Sequence, residues 1–325
     1  MKKINDIFAL KALFFIVAFS IGLWTIRIPT IRDQIHTDYL GIGYLMITFA
    51  IGSIIAMLSA NYVLSKISSK NMLIYVSFVN WIVWLPVPFV NNLQTFMFIA
   101  FLFGSCFGFF EICINLQATK IETREKKSMM SGFHAFWSLG VLVGAILTSL
   151  FLQWEISILT NILIYVIVML PINIFFCFKL TEDQKTSGEG KKNIFFIWPI
   201  LMVLLVIISM ANILTEGSVD SWGALYMKDF IKVTGFQIGI ATISFNIFMF
   251  LGRIYSDSFR DKFGVYTLLI LSMFISIVSL VTLINFDTIL YSILGFALLG
   301  LGASSIVPMA YSLSAKMKGV DSGVG

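Results

Sequence analysis

Residues 95–118 read TFMFIAFLFGSCFGFFEICINLQA, and they carry one carboxylate, Glu111, and no other charge. A helix rises about 1.5 Å per residue, so a segment of this kind is long enough to cross a hydrocarbon core of about 30 Å. Backbone amides and carbonyls cross lipid only when paired within a helix or a closed barrel. A charge inside a spanning helix costs at least ~2.5 kcal/mol on insertion scales, so it is rarely kept without a use.

The same pattern recurs along the chain. Apolar segments fall near 8–27, 41–64, 71–90, 95–118, 132–152, 156–178, 195–216, 236–257, 265–284 and 288–313, which predicts an all-α membrane bundle. The composition agrees: 58% hydrophobic and 12% charged, with a mean hydropathy of +0.94. Soluble domains stand nearer 45–50% and ~25%. Lys2 and Lys3 followed by an apolar run resemble a secretion signal, but Arg27-Ile28-Pro29 follows where a small-residue cleavage site would stand, so the run reads as the first span. Cys106, Cys113 and Cys177 all lie in apolar runs without metal spacing and read as core residues.

The positive charge tells topology rather than nucleic-acid binding. Sixteen lysines and arginines fall at one set of span ends, from Lys2 to Lys318, and four at the other: Arg27, Arg32, Lys228 and Lys232. Lys11 and Arg253 lie in or beside spans. The positive-inside rule therefore places the N-terminus in the cytoplasm of an inner-membrane protein. The polar segment 179–194 reads as a cytoplasmic linker between an N-terminal half, 1–178, and a C-terminal half, 195–325.

An internal repeat supports that division. Ser65-Lys66-Ile67-Ser68 after the second span aligns with Asp261-Lys262-Phe263-Gly264 after the eighth at an offset of 196, and the same offset lays Gly104 on Gly300. Six spans separate the copies, so the unit is six helices in parallel orientation. A five-plus-five carrier would instead repeat, inverted, after five.

These features resemble the major facilitator superfamily. Asp261-Lys262-Phe263-Gly264 is similar to its Asp-Arg-x-Gly loop signature; the N-terminal copy has lost the acid and the glycine. Within the superfamily the chain resembles the MosC/YbjJ-type branch, related to fucose permease-like sugar carriers. The stretches carrying this are Arg27-Ile28-Pro29-x-Ile31-Arg32, Gly108-x-x-Glu111-x-x-x-Asn115-x-Gln117, Ser131-x-x-His134-x-Phe136-Trp137-Ser138-Leu139-Gly140 and Glu216-Gly217-x-x-x-Ser221-Trp222. The resemblance implies twelve helices in two pseudo-symmetric six-helix halves. Ten are present here, with the eleventh expected to begin near Asp321, so a fragment or a truncated gene product is expected.

Residues suited to transport chemistry cluster in these stretches. Glu111 and Asn115 lie one turn apart on one face, where a carboxylate and a carboxamide can bond a polyol and the carboxylate can hold a proton. Related sugar permeases are understood to use an acid in this helix. The bland alternative is a bond that only holds helices together. His134 and Trp137 open the fifth span as a candidate proton relay and a sugar-stacking ring; a helix cap and an interfacial aromatic are the alternatives. Gly140 and Gly144 form a small-residue packing face. Asn212, Glu216 and Asp220 follow at four-residue spacing near the expected outer end of the seventh span, a broken helix end; Asn212 and Glu216 read as substrate groups and Asp220 as a solvated acid.

Gating residues are expected at both mouths. Arg27 is expected either to pair with an acid at the outer one or to snorkel to the interface as an anchor, while Arg32 reads as an interfacial anchor. Arg253, Asp257, Asp261 and Lys262 are expected to form a charge cluster latching the inner one. Asn246 is a weaker site candidate.

No phosphate-cradling glycine loop is present, and His36 and His134 lack metal spacing, so neither an enzyme nor any cofactor or metal is indicated. The expected function is a secondary active transporter, a monomer in the bilayer moving a small polar, sugar-like solute with protons (symport) by alternating access, with no nucleic-acid partner. Multidrug efflux by the same fold, or a non-transporting sensor or scaffold, are the alternatives.

Overall fold

The computed structural model describes residues 6–126, 129–181 and 200–314. Within them run α1 (Asp6–Gln34), α2 (Tyr39–Leu64), α3 (Ser69–Val83), α4 (Leu93–Glu125), α5 (Met130–Gln153), α6 (Ile158–Lys179), α7 (Ile200–Leu225), α8 (Ile240–Phe263), α9 (Val265–Asn285), α10 (Ile289–Ala303) and α11 (Ile306–Ser314). Nine helical segments among the described residues are long and apolar enough to cross a membrane, and α10 is a shorter apolar helix. The expected linker lies, from residue 182 on, outside the described residues.

Polar residues between the apolar runs start the helices. Asp38, Asn92 and Ser157 accept the amides of Gly41, Thr95 and Thr160 at 2.9, 2.8 and 3.1 Å, satisfying donors that a first helical turn otherwise leaves open. Lipid replaces water as the outer solvent. Exposed apolar side chains follow helical spacing on α2 (Ile47, Ile51, Ile54 and Leu58) and on α9 (Ile270, Phe274, Ile277 and Val281), as suits an apolar surrounding. All three cysteines are buried and free, as core residues should be.

Close packing follows the repeat. α2 packs on α4 and α8 packs on α10. A Cβ on Gly104 would stand 1.9 Å from the Phe49 carbonyl oxygen, and one on Gly300 would stand 2.0 Å from that of Phe245. Phe49 and Phe245 are themselves 196 apart, so the offset seen in sequence is a repeated helix–helix contact. Gly140 and Gly144 do the same for α5 on α1: their Cβ positions fall 2.2 and 2.3 Å from the carbonyls of Phe15 and Phe19.

Two expected spans differ. The seventh does not end at 216 but continues as α7 to Leu225 and through a π turn, Tyr226–Phe230, so Glu216 sits mid-helix. The tenth breaks at Ser304–Ser305 between α10 and α11. There the Ser304 hydroxyl bonds back to the Leu301 carbonyl at 2.7 Å, and Pro308 has no amide to offer the carbonyl four residues earlier.

Candidate substrate and gating site

Two acid–amide pairs occupy the middle of the bundle. On α4 the Asn115 amide nitrogen donates at 2.9 Å to both the Glu111 carboxylate and its main-chain carbonyl. On α7 the Asn212 amide nitrogen donates to the Glu216 carboxylate, also at 2.9 Å. Both acids lie near the middle of long helices and are half-buried. Glu111 feels the charge of Glu216, and Asp220, one turn along α7, feels both Glu216 and Arg253. The four expected residues Glu111, Asn115, Asn212 and Glu216 are thus brought together, and Asp220 joins their electrostatic neighbourhood.

The two acids are held differently. Arg253 of α8, 5% exposed, sets its Nη2 at 3.3 Å from both Glu216 oxygens. Its Nη1 crosses to α5, donating to the Ser138 hydroxyl and, at 3.2 Å, to the His134 carbonyl. Among the described residues the acid that Arg253 holds is Glu216, not Asp261 of the expected inner-mouth cluster. Asp261 bonds Arg260 at 2.9 Å, Lys262 lies over the Phe263 ring, and the side chain of Asp257 lies outside the described residues. His134 contributes its carbonyl, while its ring meets the edge of Phe14 at 5.4 Å. Trp137 meets Phe107 at 6.0 Å, and Phe107 meets Phe49 at 5.5 Å, an aromatic wall one turn from Glu111. Asn246 is occupied locally, donating to the Thr242 carbonyl. Gln117 bonds Ser69 and ties α4 to α3.

The face that the lysine and arginine count assigns to the outside is closed by a clasp between the halves. Arg32 pairs with Asp229, the Tyr39 hydroxyl donates to Asp229 at 3.0 Å, and Lys228 reaches Asp33 at 2.5 Å. The π turn after α7 presents Lys228 and Asp229. Of the two arginines of α1, Arg32 and not Arg27 pairs with an acid of the other half. Arg27, 2% exposed, bonds Asn161 at 3.0 Å and the Ile156 carbonyl at 2.8 Å within its own half, with no acid as partner among the described residues. Asp33, Lys228, Asp229 and Tyr39 were not expected. The signal was nonetheless present: Arg32-Asp33 and Lys228-Asp229 are 196 residues apart.

The family model of the Major Facilitator Superfamily matches residues 12–321. The chain belongs to that superfamily. It is a multi-pass membrane carrier, a secondary transporter rather than an enzyme. Among its relatives, an uncharacterized MFS-type transporter of Yersinia pestis is 28% identical over 301 residues, covering 92% of this chain and 77% of the relative. The membrane protein MosC of Rhizobium meliloti is 26% identical over 318 residues, 96% of this chain and 76% of MosC. In fold the chain is similar to a mutant form of the nucleoside transporter NupG, with a TM-score of 0.72 at 14% identity over 98% of this chain and 85% of NupG. It is also similar to a bacterial homolog of the human lysosomal transporter Spinster, in an inward-facing and occupied conformation (TM-score 0.62, 13% identity, 95% and 73% covered). Superfamily membership thus agrees with the two-half helical architecture.

Proposed function

We propose that this carrier moves a small polar organic solute across the bacterial inner membrane together with protons, as a monomer with a cytoplasmic N-terminus. The observation that carries the reading is the unequal pair of mid-membrane acids. Glu216 is clamped by Arg253, whereas Glu111 has Asn115 as its hydrogen-bond partner and another acid as its charged neighbour. An acid placed like Glu111 is suited to take up and release a proton, and intramembrane acids are functional by default. Asn115 and Asn212 supply amides for a hydroxyl-rich solute. The clasp between the halves serves as the outer gate, closed in this conformation, and rocking of the halves about the site gives alternating access.

The test is a panel of sugars, polyols and nucleosides added to reconstituted vesicles, with uptake and medium alkalinisation read together. A solute that drives alkalinisation in the wild type and not in Glu111→Gln supports the reading; alkalinisation unchanged by that substitution ends the proton role of Glu111. A second reading, efflux of lipophilic cations, is favoured by the aromatic wall of Phe49, Phe107 and Trp137 beside Glu111. Protection of cells against such cations, without uptake of any panel solute, would select it.

A further inference from the structure

We propose that Arg253 is a positioning residue that steps between two acids of α7 and, in doing so, fastens or frees α5. The inference rests on the carrier reading above and concerns how the site is coupled to the halves. One guanidinium has two jobs in this structure. Its Nη2 holds Glu216, and its Nη1 holds Ser138 and the His134 carbonyl across the boundary between the halves. Its Nε is buried without a hydrogen-bond partner among the described residues, so the present arrangement leaves a strong donor unsatisfied. A buried charge needs a counter-charge, and removing one partner of such a pair is costly.

Asp220 supplies the alternative. It follows Glu216 by four residues on the same face of α7, about one turn or 5.4 Å along the axis, and it already feels the charge of Arg253. Among the described residues, the ionisable groups around the guanidinium are Glu216 and Asp220 on α7, His134 on α5, and Glu111 on α4 acting on Glu216. When Glu216 is neutralised, or its oxygens are taken by donors of a bound solute, Arg253 moves toward Asp220. That step withdraws Nη1 from Ser138 and His134. The α5–α8 junction then loses the side chain that bonds α5, α7 and α8 together. Two discrete partners for one cation make the junction bistable, as a rocking carrier requires.

Spin labels test this without a known solute. Cysteines introduced at Gly132 and Ser258, exposed residues near the inner ends of α5 and α8, report their separation once Cys106, Cys113 and Cys177 are replaced. Glu216→Gln mimics the neutral acid and is expected to lengthen the distance. Adding Asp220→Asn removes the second acid, returns Arg253 to α5 and restores the wild-type distance. Arg253→Ala is expected to lengthen it as Glu216→Gln does, and Arg253→Lys, one point charge in place of a fork, to give an intermediate value. If Arg253→Ala does not fold, Ser138→Ala keeps the Glu216 pair and is expected to give a partial lengthening.

An unchanged distance in Glu216→Gln, or a lengthening that survives Asp220→Asn, overturns the proposal. Vesicle uptake by the same variants keeps the readings apart. The expected distances without any flux remove the carrier reading and leave the partner exchange, whereas flux with unchanged distances removes the partner exchange alone.

Discussion

At the outer face, Arg32 and Asp33 of α1 meet Lys228 and Asp229 of the turn after α7, and each basic residue pairs with the other dipeptide's acid. The two dipeptides are copies, 196 residues apart. In the middle of the membrane the same offset gives nothing of the kind. Glu111 falls on Val307, Glu216 on Ser20 and Arg253 on Met57. The clasp keeps the repeat and the central site breaks it. A mouth closed by two related halves meeting around a pseudo-two-fold axis can use one surface twice, so duplicated residues suffice. The two mid-membrane acids are unequal: Glu216 is clamped by Arg253, whereas Glu111 is held by Asn115, and the proposed joint passage of a solute and a proton calls for such an inequality.

The largest effect expected is in the central site, and it tests the inequality directly. Glu111→Gln is expected to abolish uphill, proton-driven accumulation while exchange of solute across the membrane persists, because exchange needs no net proton movement. Glu216→Gln is expected to impair both, since it disturbs solute contacts and releases Arg253. Counterflow and uphill uptake measured side by side on the two variants decide this; identical losses in both assays would make the two acids equivalent and break the comparison.

Next comes the repeated frame. Gly104→Ala and Gly300→Ala each force a Cβ to within 2.0 Å of a neighbouring carbonyl oxygen, where the backbone must shift. Overpacking of this kind costs about 1–3 kcal/mol. Thermal unfolding in detergent should fall by similar amounts for the two variants. A large fall for one and none for the other would show that the contact is duplicated in sequence but not in importance.

The frame was legible because lipid imposes it. Runs of about 20 apolar residues, lysines gathered at one set of ends, and glycines at a fixed offset are each the direct imprint of a physical constraint. Glu111 was legible too, since a lone carboxylate in such a run stands out. Partners were not. Arg27 and Arg32 are five residues apart, about 140° around a helix at 3.6 residues per turn, and so face different neighbours. One-dimensional spacing does not say which neighbour is the other half. Arg253 also holds an acid that no spacing points to, Glu216, 37 residues earlier and on another helix. The break between α10 and α11 was missed for a related reason: hydropathy continues across Ser304 and Ser305, and only hydrogen bonding registers the interruption.

Arg27 sharpens the contrast between the two arginines of α1. Arg27→Ala leaves the Asn161 side chain and the Ile156 carbonyl without their donor, and an unsatisfied buried acceptor costs about 1–3 kcal/mol. Stability should fall by that order while the clasp stays shut, which labels at Asn91 and Asp287, exposed on the outer side of the two halves, would report as an unchanged distance. Opening of the outer mouth in Arg27→Ala would return Arg27 to the gate.

The smallest effects belong to the clasp, because water reaches it. Asp33 is 52% exposed and Asp229 22% exposed, and exposed ion pairs contribute about 0.2–1 kcal/mol each. Asp229→Asn removes the charge that both Arg32 and Tyr39 bond and leaves a neutral amide oxygen, so it should shift the Asn91–Asp287 distance toward the open state more than Asp33→Asn does. The double exchange Asp33→Lys with Lys228→Asp reverses the sign of one arm and should bring the closed distance only part of the way back, because it also costs Arg32 its 3.0 Å bond to Asp33; either single change places like charges together. Salt should act in the same order: at 1 M the Debye length is about 3 Å, so the wild-type clasp should loosen toward the open distance and the Asp229→Asn protein should respond less. The two arms share one contact, since Asp33 bonds Arg32 at 3.0 Å as well as Lys228; a clasp that fails fully on losing Asp33 alone would mean that this shared contact, and not the duplicated pairing, holds the gate.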